Sequence, residues 1–393
     1  MKVLLIHNRY QQHGGEDFAV SNQAELLRQR GHTVIHYFRD NNEVLNYSLL
    51  DKIRFFPNTV YSIRTVREIR SVARRERPDV AHIHNVFPLI SPSVYTTLAE
   101  ERIPIVQTIH NYRFMCPNAL FFTQGKICER CKSGNTLHAV RHRCYKDSTL
   151  LSGLYAAAIG LHRQLGTFSK IARFIALTPF SRQILVNARI APPEKISELG
   201  NFLPDPLFEP GLPGERSAEF VFIGRLVPEK GVQLLIEAMR GLPQARLAVL
   251  GSGPMQAKLE EQARRQQISN VEFLGYIAGE AKMAHLRRTR ALVLPSLWYE
   301  SLSFVILEAM CAATPVIVPR HGGIPQIVEK AGCGLVFFPG DAADLGDRLK
   351  AMLADPGRAA EQGMNGRRFL EANFSAQSHY RRLVQIYQGA IRG

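Results

Sequence analysis

The chain lacks several features that would place it in common protein classes. It has no apolar run of the ~20 residues that a membrane-spanning helix needs. Its first apolar stretch, residues 1–7, is short and leads into Gly14-Gly15-Glu16-Asp17, so we interpret it as a strand and not a signal peptide. The Gly-x-Gly-x-x-Gly dinucleotide fingerprint is absent, which argues against NAD binding. We therefore expect a cytoplasmic protein that uses no NAD.

Acidic residues are scarce, with 34 against 49 basic ones, for a net charge of +15. Residues 1–200 hold 27 basic and 15 acidic residues, so most of the excess lies there. A set of four arginines recurs at helical spacing and shares one helix face: Arg67, Arg70, Arg74 and Arg77. This face is either a solvated surface or a surface for anionic lipid, and no apolar anchor is expected beside it. Nucleic acid is disfavoured, because the stretch has few aromatics and no recognisable reading motif.

The pattern of the chain predicts two α/β halves. A chain of 393 residues is long enough for two domains, each with its own core. Short β-rich runs alternate with helical patterns, which predicts parallel sheets covered by helices on both faces. The predicted strands are residues 3–7, 34–38, 80–84, 105–109 and 174–177, then 220–223, 247–250, 271–274, 291–294, 316–318 and 335–337. Residues 201–214 are rich in Pro and Gly and are interpreted as a linker.

The most informative stretch is residues 294–320. Glu308 is the only charged residue between Glu300 and Arg320, within an apolar run that predicts a buried helix. A carboxylate there costs several kcal/mol unless it is bonded, so it needs either a ligand or a buried Lys or Arg. Ser303 or Ser301 can cap this helix, and its free N–H groups can hold an anion. Glu308 lies about 7 Å beyond the cap, which suits a nucleotide diphosphate attached to a sugar.

These residues resemble a family. Glu300 and Glu308 match the Glu-x7-Glu motif of retaining glycosyltransferases of family 4, which have the GT-B fold. Residues 222–231, 250–254, the turn His321-Gly322-Gly323 and the early Gly14-Gly15 also stand where this family has them. Two departures are Gln326, where many members carry Glu, and the sequence 301–303, which replaces a glycine-containing turn. The resemblance covers nearly the whole chain.

The resemblance implies an α/β GT-B fold, with two Rossmann-like domains that face a central cleft. Residues 1–200 would be the acceptor-side domain and 201–375 the nucleotide-sugar-binding domain, with a helix over 376–393 crossing back to the first. The implied donor-binding residues are Gly14, Gly15, Gly224, Arg225, Lys230, Glu300, Ser301, Leu302, Ser303 and Glu308. The implied catalytic residues are His110, Glu300, Arg225 and Lys230, and the acceptor-side candidates are Glu16 and Asn111.

Each implied role has an alternative. Arg225 and Lys230 would bind the diphosphate, or would be surface cations at a turn. Glu308 would accept bonds from ribose hydroxyls. Glu300 would bind the donor sugar, or would complement a helix dipole. Glu16 would bind an acceptor hydroxyl, or would complement the dipole at the start of its helix. His110 would donate a bond to the donor sugar, or would be an ordinary loop histidine.

The resemblance implies retention of anomeric configuration by front-face attack, with positive groups stabilising the leaving diphosphate. No Asp-x-Asp occurs in the chain, so we expect no metal-bridged diphosphate and no cofactor for catalysis.

One segment, residues 112–145, is rich in cysteine. Cys116, Cys128, Cys131 and Cys144 lie within 29 residues, and disulfides are improbable in a reducing cytoplasm. Four thiols with one Cys-x2-Cys can form a structural zinc site, in which His138 or His142 could replace one thiol. The alternative is a set of free thiols in a loop packed on the acceptor side.

The resulting hypothesis is a transferase that moves a hexose from a nucleoside-diphosphate sugar. The acceptor would be a hydroxyl of a lipid-linked or cell-envelope oligosaccharide, and the enzyme would work on the inner face of an anionic membrane. One alternative is a sugar-nucleotide 2-epimerase of the same fold, which would turn over without an acceptor. The other is a non-enzymatic basic protein that binds nucleic acid or membranes, which would not need Glu308.

Overall fold

A computed structural model of the protein describes residues 1–11, 14–204 and 216–393. The chain divides into two compact units. Unit 1 comprises Met1–Thr123, Cys128–Asn201 and His379–Gly393, and unit 2 comprises Gln124–Ile127 and Phe202–Ser378. Most of the predicted linker, residues 205–214, lies outside the described residues. In the described part of the chain, no helix is long and apolar enough to cross a membrane.

Unit 1 is built on a six-stranded parallel sheet of order β2-β1-β3-β4-β7-β8. Its strands are β1 (Lys2–Arg9), β2 (Thr33–Asp40), β3 (Val80–Ile83), β4 (Ile105–Ile109), β7 (Arg173–Ala176) and β8 (Ile196–Glu198). Two short strands, β5 (Phe122–Thr123) and β6 (Lys126–Ile127), belong to the cysteine-rich segment. The helices are α1 (Gly15–Gln29), α2 (Leu49–Val60), α3 (Ile63–Glu76), α4 (Ser93–Glu100), α5 (Leu137–Arg141), α6 (Thr149–Gln164) and α7 (Pro179–Asn187). The five predicted strands are present, whereas β8 was not predicted.

Unit 2 repeats the scheme with a parallel sheet of order β11-β10-β9-β12-β13-β14. Its strands are β9 (Glu219–Ile223), β10 (Arg246–Leu250), β11 (Val271–Gly275), β12 (Ala291–Val293), β13 (Val316–Pro319) and β14 (Gly334–Phe337). The helices are α8 (Val232–Met239), α9 (Gln256–Arg265), α10 (Gly279–Arg288), α11 (Phe304–Cys311), α12 (Ile324–Ala331), α13 (Ala342–Ala354) and α14 (Pro356–Asn373). Because β9, β12 and β13 are neighbours, the segments that follow them meet at one sheet edge.

The last helix, α15 (Ala376–Arg392), supplies part of the core of unit 1. Leu383, Tyr387 and Ala390 are buried in the cluster that contains Val3 and Leu5 of β1. The hydroxyl of Tyr387 lies 2.7 Å from Nδ1 of His82 and accepts a bond from Gln23 Nε2 at 3.3 Å. A helix distant in sequence therefore completes the core under the unit 1 sheet, as the fold prediction expected.

The basic face of α3 is partly neutralised. Arg70 pairs with Glu100 at 2.6 Å and Glu101 at 3.3 Å, and Arg74 pairs with Glu101 at 2.9 Å. Only Arg67 and Arg77 of the four predicted arginines lack an acidic partner among the described residues. Exposed aliphatic side chains also occur in unit 1, on α2 and on the turn before it. The expectation that no apolar anchor accompanies the basic face stays a prediction.

The buried hydroxyl of Tyr387 generates a stability prediction. Tyr387→Phe leaves Nδ1 of His82 with one donor fewer in a buried network, so we expect a loss of about 1–2 kcal/mol in unfolding free energy. Tyr380→Phe on the same helix removes a half-buried bond to His32 and should cost less. Thermal and denaturant unfolding measure both, and an equal loss in the two variants would contradict the buried-network account.

Candidate active site

The turn after β9, which carries Gly224 and Arg225, is supported by the backbone of the turn after β10. The N–H of Leu226 donates to the carbonyl of Ser252 at 2.9 Å. A Cβ on Gly251 would lie 1.8 Å from the Gly224 carbonyl oxygen, and one on Gly253 would lie 2.4 Å from that of Leu226. Only glycine permits this approach. The pair Gly251 and Gly253 therefore supports the turn of Arg225, a role that the sequence analysis missed.

Lys230 and Glu300 form an ion pair, although the sequence assigned them to different parts of the donor. Nζ of Lys230 lies 2.5 Å from Oε1 of Glu300. The same oxygen accepts bonds from Ser296 Oγ at 2.8 Å and Trp298 Nε1 at 3.0 Å. The turn of Lys230 packs closely on the segment after β12, because a Cβ on Gly231 would lie 2.0 Å from the Pro295 carbonyl oxygen. The donors that hold Glu300 thus converge on a single carboxylate oxygen.

The environment of Glu300 favours its ionised form. Burial by itself would raise the pKa of Glu300, but the charge of Lys230 and the bonds from Lys230, Ser296 and Trp298 outweigh it. The pKa of Glu300 therefore lies below its ordinary value. The turn of Gly322 and Gly323 holds the backbone here, since the N–H of Gly323 donates to the Glu300 carbonyl at 2.9 Å.

Glu308 has only half of its carboxylate satisfied. Its Oε1 lies 2.6 Å from Nζ of Lys282 on α10, which is the buried cation that the sequence left as an alternative. Its Oε2 is buried and has no hydrogen-bond partner, and the residue is only 5% exposed. Burial raises the pKa of Glu308 above its ordinary value, and Lys282 only partly opposes this effect. A buried carboxylate oxygen without a donor is rare in protein structures.

The helix that carries Glu308 begins at a turn with two candidate caps, Ser301 and Ser303. Ser303 is the N-cap residue of α11, as predicted, and its side chain makes no capping bond, whereas a cap through Ser301 stays a prediction. Ser301 precedes this position, and Leu302 between the two is buried. The first N–H groups of a helix have no partner within the helix, and the positive end of the helix dipole lies there, so this end of α11 favours an anion.

Arg225 stands apart from these pairs. It is exposed in the turn after β9, and within residues 1–11, 14–204 and 216–393 no acidic group pairs with its guanidinium. It belongs to the same sheet edge as Lys230, Glu300 and the start of α11. The predicted donor-binding residues of unit 2 therefore come together at one edge, with one cation unpaired and one carboxylate oxygen unsatisfied.

In unit 1, the predicted acceptor-side residues Glu16 and Asn111 are in contact. Nδ2 of Asn111 donates to Oε2 of Glu16 at 3.3 Å, and the Tyr10 hydroxyl donates to the same oxygen at 3.0 Å. Oε1 of Glu16 and Nδ1 of His7 are both buried without hydrogen-bond partners, 4.0 Å apart. Burial raises the pKa of Glu16, against the opposing effects of His7 and Tyr10.

The start of α1 separates two alternatives that the sequence left open. Asp17 serves the helix start, since its Oδ2 accepts from the Gly14 N–H at 3.0 Å while its Oδ1 meets His7 Nε2 at 3.0 Å. Glu16 instead faces Tyr10 and Asn111. Gly14 has a φ of −125° and no atom within 4 Å of an added Cβ, so its conformation does not require glycine. The open space beside Gly14 is compatible with a ligand.

His110 belongs to a stack of buried histidines. Its Nε2 lies 2.8 Å from Nδ1 of His84, and the His84 ring stacks on those of both His82 and His110. Burial, with a contribution from His7, lowers the pKa of His110 to about 3, so this ring is neutral. Nε2 of His84 has no partner in the described part of the chain, and a buried lone pair costs less to leave unpaired than a buried N–H. We therefore place the proton of His84 on Nδ1, from which it donates to Nε2 of His110. Nε2 of His110 is then an acceptor, so the proton of the neutral His110 ring lies on Nδ1.

The four clustered cysteines are free thiols. Burial raises the pKa of Cys131 to about 12, with further increases from Cys116, Cys144 and Cys128. However, no group of three or more His, Cys, Asp or Glu side chains is arranged to hold a metal ion in the described ranges. The zinc site stays a prediction.

Metal analysis of protein purified without chelator distinguishes the two interpretations of the cysteines. About one zinc per chain, lost in Cys128→Ser or Cys131→Ser, would support the site. Four titratable thiols and no zinc would reject it.

Comparisons with known proteins match both units. The profile of "Glycosyltransferase Family 4" matches residues 14–204, and that of "Glycosyl transferases group 1" matches residues 206–369. The chain belongs to the family 4 glycosyltransferases with the GT-B fold. The family assignment made from Glu300, Glu308 and the glycine turns is confirmed.

Curated relatives match part of the chain. Glycogen synthase of Mycobacterium tuberculosis is 34% identical over 181 residues, 45% of this chain and 44% of that protein. The GDP-mannose-dependent alpha-(1-6)-phosphatidylinositol monomannoside mannosyltransferase of Mycolicibacterium smegmatis is 32% identical over 180 residues, 43% of this chain and 47% of that protein. The chain thus spans about half the length of the curated relatives it matches.

Solved structures match the whole chain at low identity. Sucrose-phosphate synthase from Thermosynechococcus elongatus has a TM-score of 0.72 at 19% identity and 98% coverage of both chains. HepE from Anabaena in complex with UDP-glucose has a TM-score of 0.66 at 17% identity and 98% coverage of both chains. At this identity the likeness establishes the fold alone.

The opposite pKa shifts of the two glutamates predict opposite pH dependences. The carboxyl of Glu308 has a higher pKa in the folded protein than in the unfolded chain, so its ionised form lowers the stability of the fold at high pH. This loss of stability disappears as the pH falls through the pKa of the folded state. A carboxyl with a lowered folded pKa contributes stability above its unfolded pKa, which is lost as the pH falls through the folded pKa. As the pH rises from about 3 to 8, the stability of Glu308→Gln relative to the parent should therefore rise above about pH 4, whereas that of Glu300→Gln should fall up to about pH 5 and stay level above it.

Chemical denaturation of the ligand-free proteins across this pH range measures both differences. Glu329→Gln, on the exposed face of α12, is the matched control and should follow the parent. Curves of the same sign for Glu300→Gln and Glu308→Gln would contradict the two environments described above.

Proposed function

We propose that this glycosyltransferase moves a hexose from a nucleoside-diphosphate sugar to a hydroxyl of a lipid-linked or cell-envelope oligosaccharide, with retention and without a catalytic metal. The observation that carries the proposal is Oε2 of Glu308, which is buried, has no hydrogen-bond partner in the described part of the chain, and lies five residues after the N-cap of α11. A ribose hydroxyl would donate to this oxygen. The diphosphate would then lie toward the N-terminal end of the helix, where the helix dipole favours negative charge.

The cations of unit 2 support the binding of the diphosphate. Arg225 has no acidic partner in the described part of the chain, and Lys230 lies within the same edge of the sheet. Charge-assisted bonds from such groups contribute about 1.5–3 kcal/mol each. The three donors on Oε1 of Glu300 orient its carboxylate, so that the group can accept bonds from hydroxyls of the donor sugar. Together these groups complement a sugar attached to a diphosphate.

The proposed chemistry is electrostatic. Retention is what the family resemblance implies. Glu300 and Glu308 are both engaged by lysines, so neither is a free nucleophile, and retention would then require front-face attack by the acceptor hydroxyl. Negative charge grows on the diphosphate as it leaves, and Arg225, Lys230 and the start of α11 would stabilise it. The same cations replace a bridging metal. His110 would contact the donor sugar as a neutral ring.

Unit 1 supports the binding of an acceptor hydroxyl. Oε1 of Glu16 and Nδ1 of His7 are 4.0 Å apart and both lack hydrogen-bond partners. One hydroxyl placed between them could donate to one of these atoms and accept from the other, depending on which of the two carries a proton. The relatives favour a glycan or lipid acceptor, because they include a glycogen synthase and a phosphatidylinositol monomannoside mannosyltransferase. The mannosyltransferase depends on GDP-mannose and HepE has been solved in complex with UDP-glucose, so the nucleoside base is to be found by screening.

Calorimetry with UDP, GDP and ADP is the first test. Glu308→Gln should weaken binding of the preferred nucleotide about 10- to 100-fold, because it replaces the ribose-binding carboxylate by an amide. Arg225→Ala should weaken it by a similar factor, whereas Arg240→Ala, an exposed arginine after α8, should have no effect. Unchanged affinity in folded Glu308→Gln would reject the donor site.

Sugar transfer from the preferred donor is the second test. Glu300→Gln should lower the rate of transfer by a larger factor than it lowers nucleotide affinity, because its carboxylate is proposed to contact the sugar and not the nucleotide. NMR of the product should show the anomeric configuration of the donor. Turnover of the nucleotide sugar to its 2-epimer with no acceptor present would identify the epimerase alternative and reject the transferase.

A further inference from the structure

Four aliphatic side chains of unit 1, none of them assigned to a substrate, are exposed. They lie on α2 and on the 3₁₀ helix Asn41–Asn46 before it, and together they are named the apolar patch. Their exposed fractions are 72% for Leu45, 76% for Leu49, 64% for Leu50 and 62% for Ile53. Large aliphatic side chains clustered in this way are uncommon on a soluble surface and mark a protein or membrane contact.

The other face of α2 is already packed. Thr59 is fully buried, Phe55 contacts the rings of Tyr47 and Phe56, and the Val60 carbonyl lies 2.8 Å from His162 Nε2 of α6. Leu49 and Ile53 are four residues apart and therefore share one side of the helix. The helix is thus anchored to unit 1 by one face and presents its aliphatic residues on another.

The charges beside the patch are basic and available. Lys52 and Arg54 are exposed on the same helix, and no residue that the structure describes forms an ion pair with either. The one acidic residue of α2, Asp51, is engaged as part of the helix start, where it accepts bonds from Ser48. Arg67 on the following helix α3 is also exposed and without an acidic partner in the described chain.

We propose that α2 lies on an anionic lipid bilayer, with Leu45, Leu49, Leu50 and Ile53 inserted among the acyl chains and Lys52, Arg54 and Arg67 against the lipid phosphates. Aliphatic residues flanked by unpaired cations match the interfacial region of a bilayer, where both kinds of group are satisfied. This attachment differs from a purely electrostatic one, because the apolar contribution to membrane affinity is not screened and remains at physiological salt. It does not depend on the donor site, which belongs to unit 2.

Co-sedimentation with vesicles of equal parts phosphatidylglycerol and phosphatidylcholine tests the proposal on the full chain. The protein should bind these vesicles at physiological salt and bind pure phosphatidylcholine at least about tenfold more weakly. The triple variant Leu49→Ser/Leu50→Ser/Ile53→Ser should lose at least about tenfold in affinity at any salt concentration, because each residue contributes through burial of apolar area. Lys52→Gln/Arg54→Gln should lose several-fold at low salt and less at high salt.

A matched control removes exposed leucines elsewhere in the same unit. Leu150→Ser/Leu165→Ser, at two exposed positions of α6 and its C-terminal end, should bind vesicles like the parent. Thermal unfolding and nucleotide affinity should be unchanged in all these variants, which shows that the fold and the donor site are intact.

Three results would overturn the proposal. The first is a protein that ignores phosphatidylglycerol vesicles at physiological salt. The second is a triple variant that binds them like the parent. The third is a parent that self-associates through the patch, seen by analytical ultracentrifugation as a dimer that the triple variant converts to a monomer.

Discussion

The half-satisfied carboxylate of Glu308 is the constraint on which the rest of the donor site depends. A buried carboxylate is stable only where its oxygens find donors, and Lys282 supplies one for Oε1 alone. The protein therefore maintains an unfavourable group inside unit 2, and the raised pKa of Glu308 expresses its cost. A ligand that donates to Oε2 would remove this cost, and this is the reason for proposing a ribose hydroxyl as its partner.

The surrounding architecture keeps this carboxylate in register with the groups that would hold a diphosphate. The parallel sheet places the segments after β9, β12 and β13 side by side, and glycines lock these segments together. Gly251 and Gly253 support the turn of Arg225, while Gly231 allows the turn of Lys230 to reach Glu300. The functional groups are therefore positioned by backbone contacts that a single added Cβ would disrupt.

The sequence predicted the parts of the fold and site that depend on local pattern. The strands before Arg225 and after Glu308 follow from apolar runs, and the family from Glu300, Glu308 and the glycine turns. Pairings between distant segments could not be predicted, because they depend on which elements become neighbours in three dimensions. Lys282 meets Glu308 only because α10 packs on α11.

Pairings and exposed faces on the surface of unit 1 could not be predicted from the sequence either. The ion pairs of Arg70 and Arg74 depend on the position of α4 beside α3. The helical spacing of the arginines gives no information about that position. The apolar patch was missed because Leu49, Leu50 and Ile53 would equally suit the buried side of an amphipathic helix. Which face of α2 is buried is decided by its packing on α6, and hence by the tertiary structure.

A crystal structure with the preferred nucleoside diphosphate tests the central claim most directly. The account predicts a ribose hydroxyl within hydrogen-bond distance of Glu308 Oε2, with the diphosphate against Arg225 and the first N–H groups of α11. A nucleotide bound elsewhere, or bound here with Oε2 of Glu308 still without a partner, would contradict it.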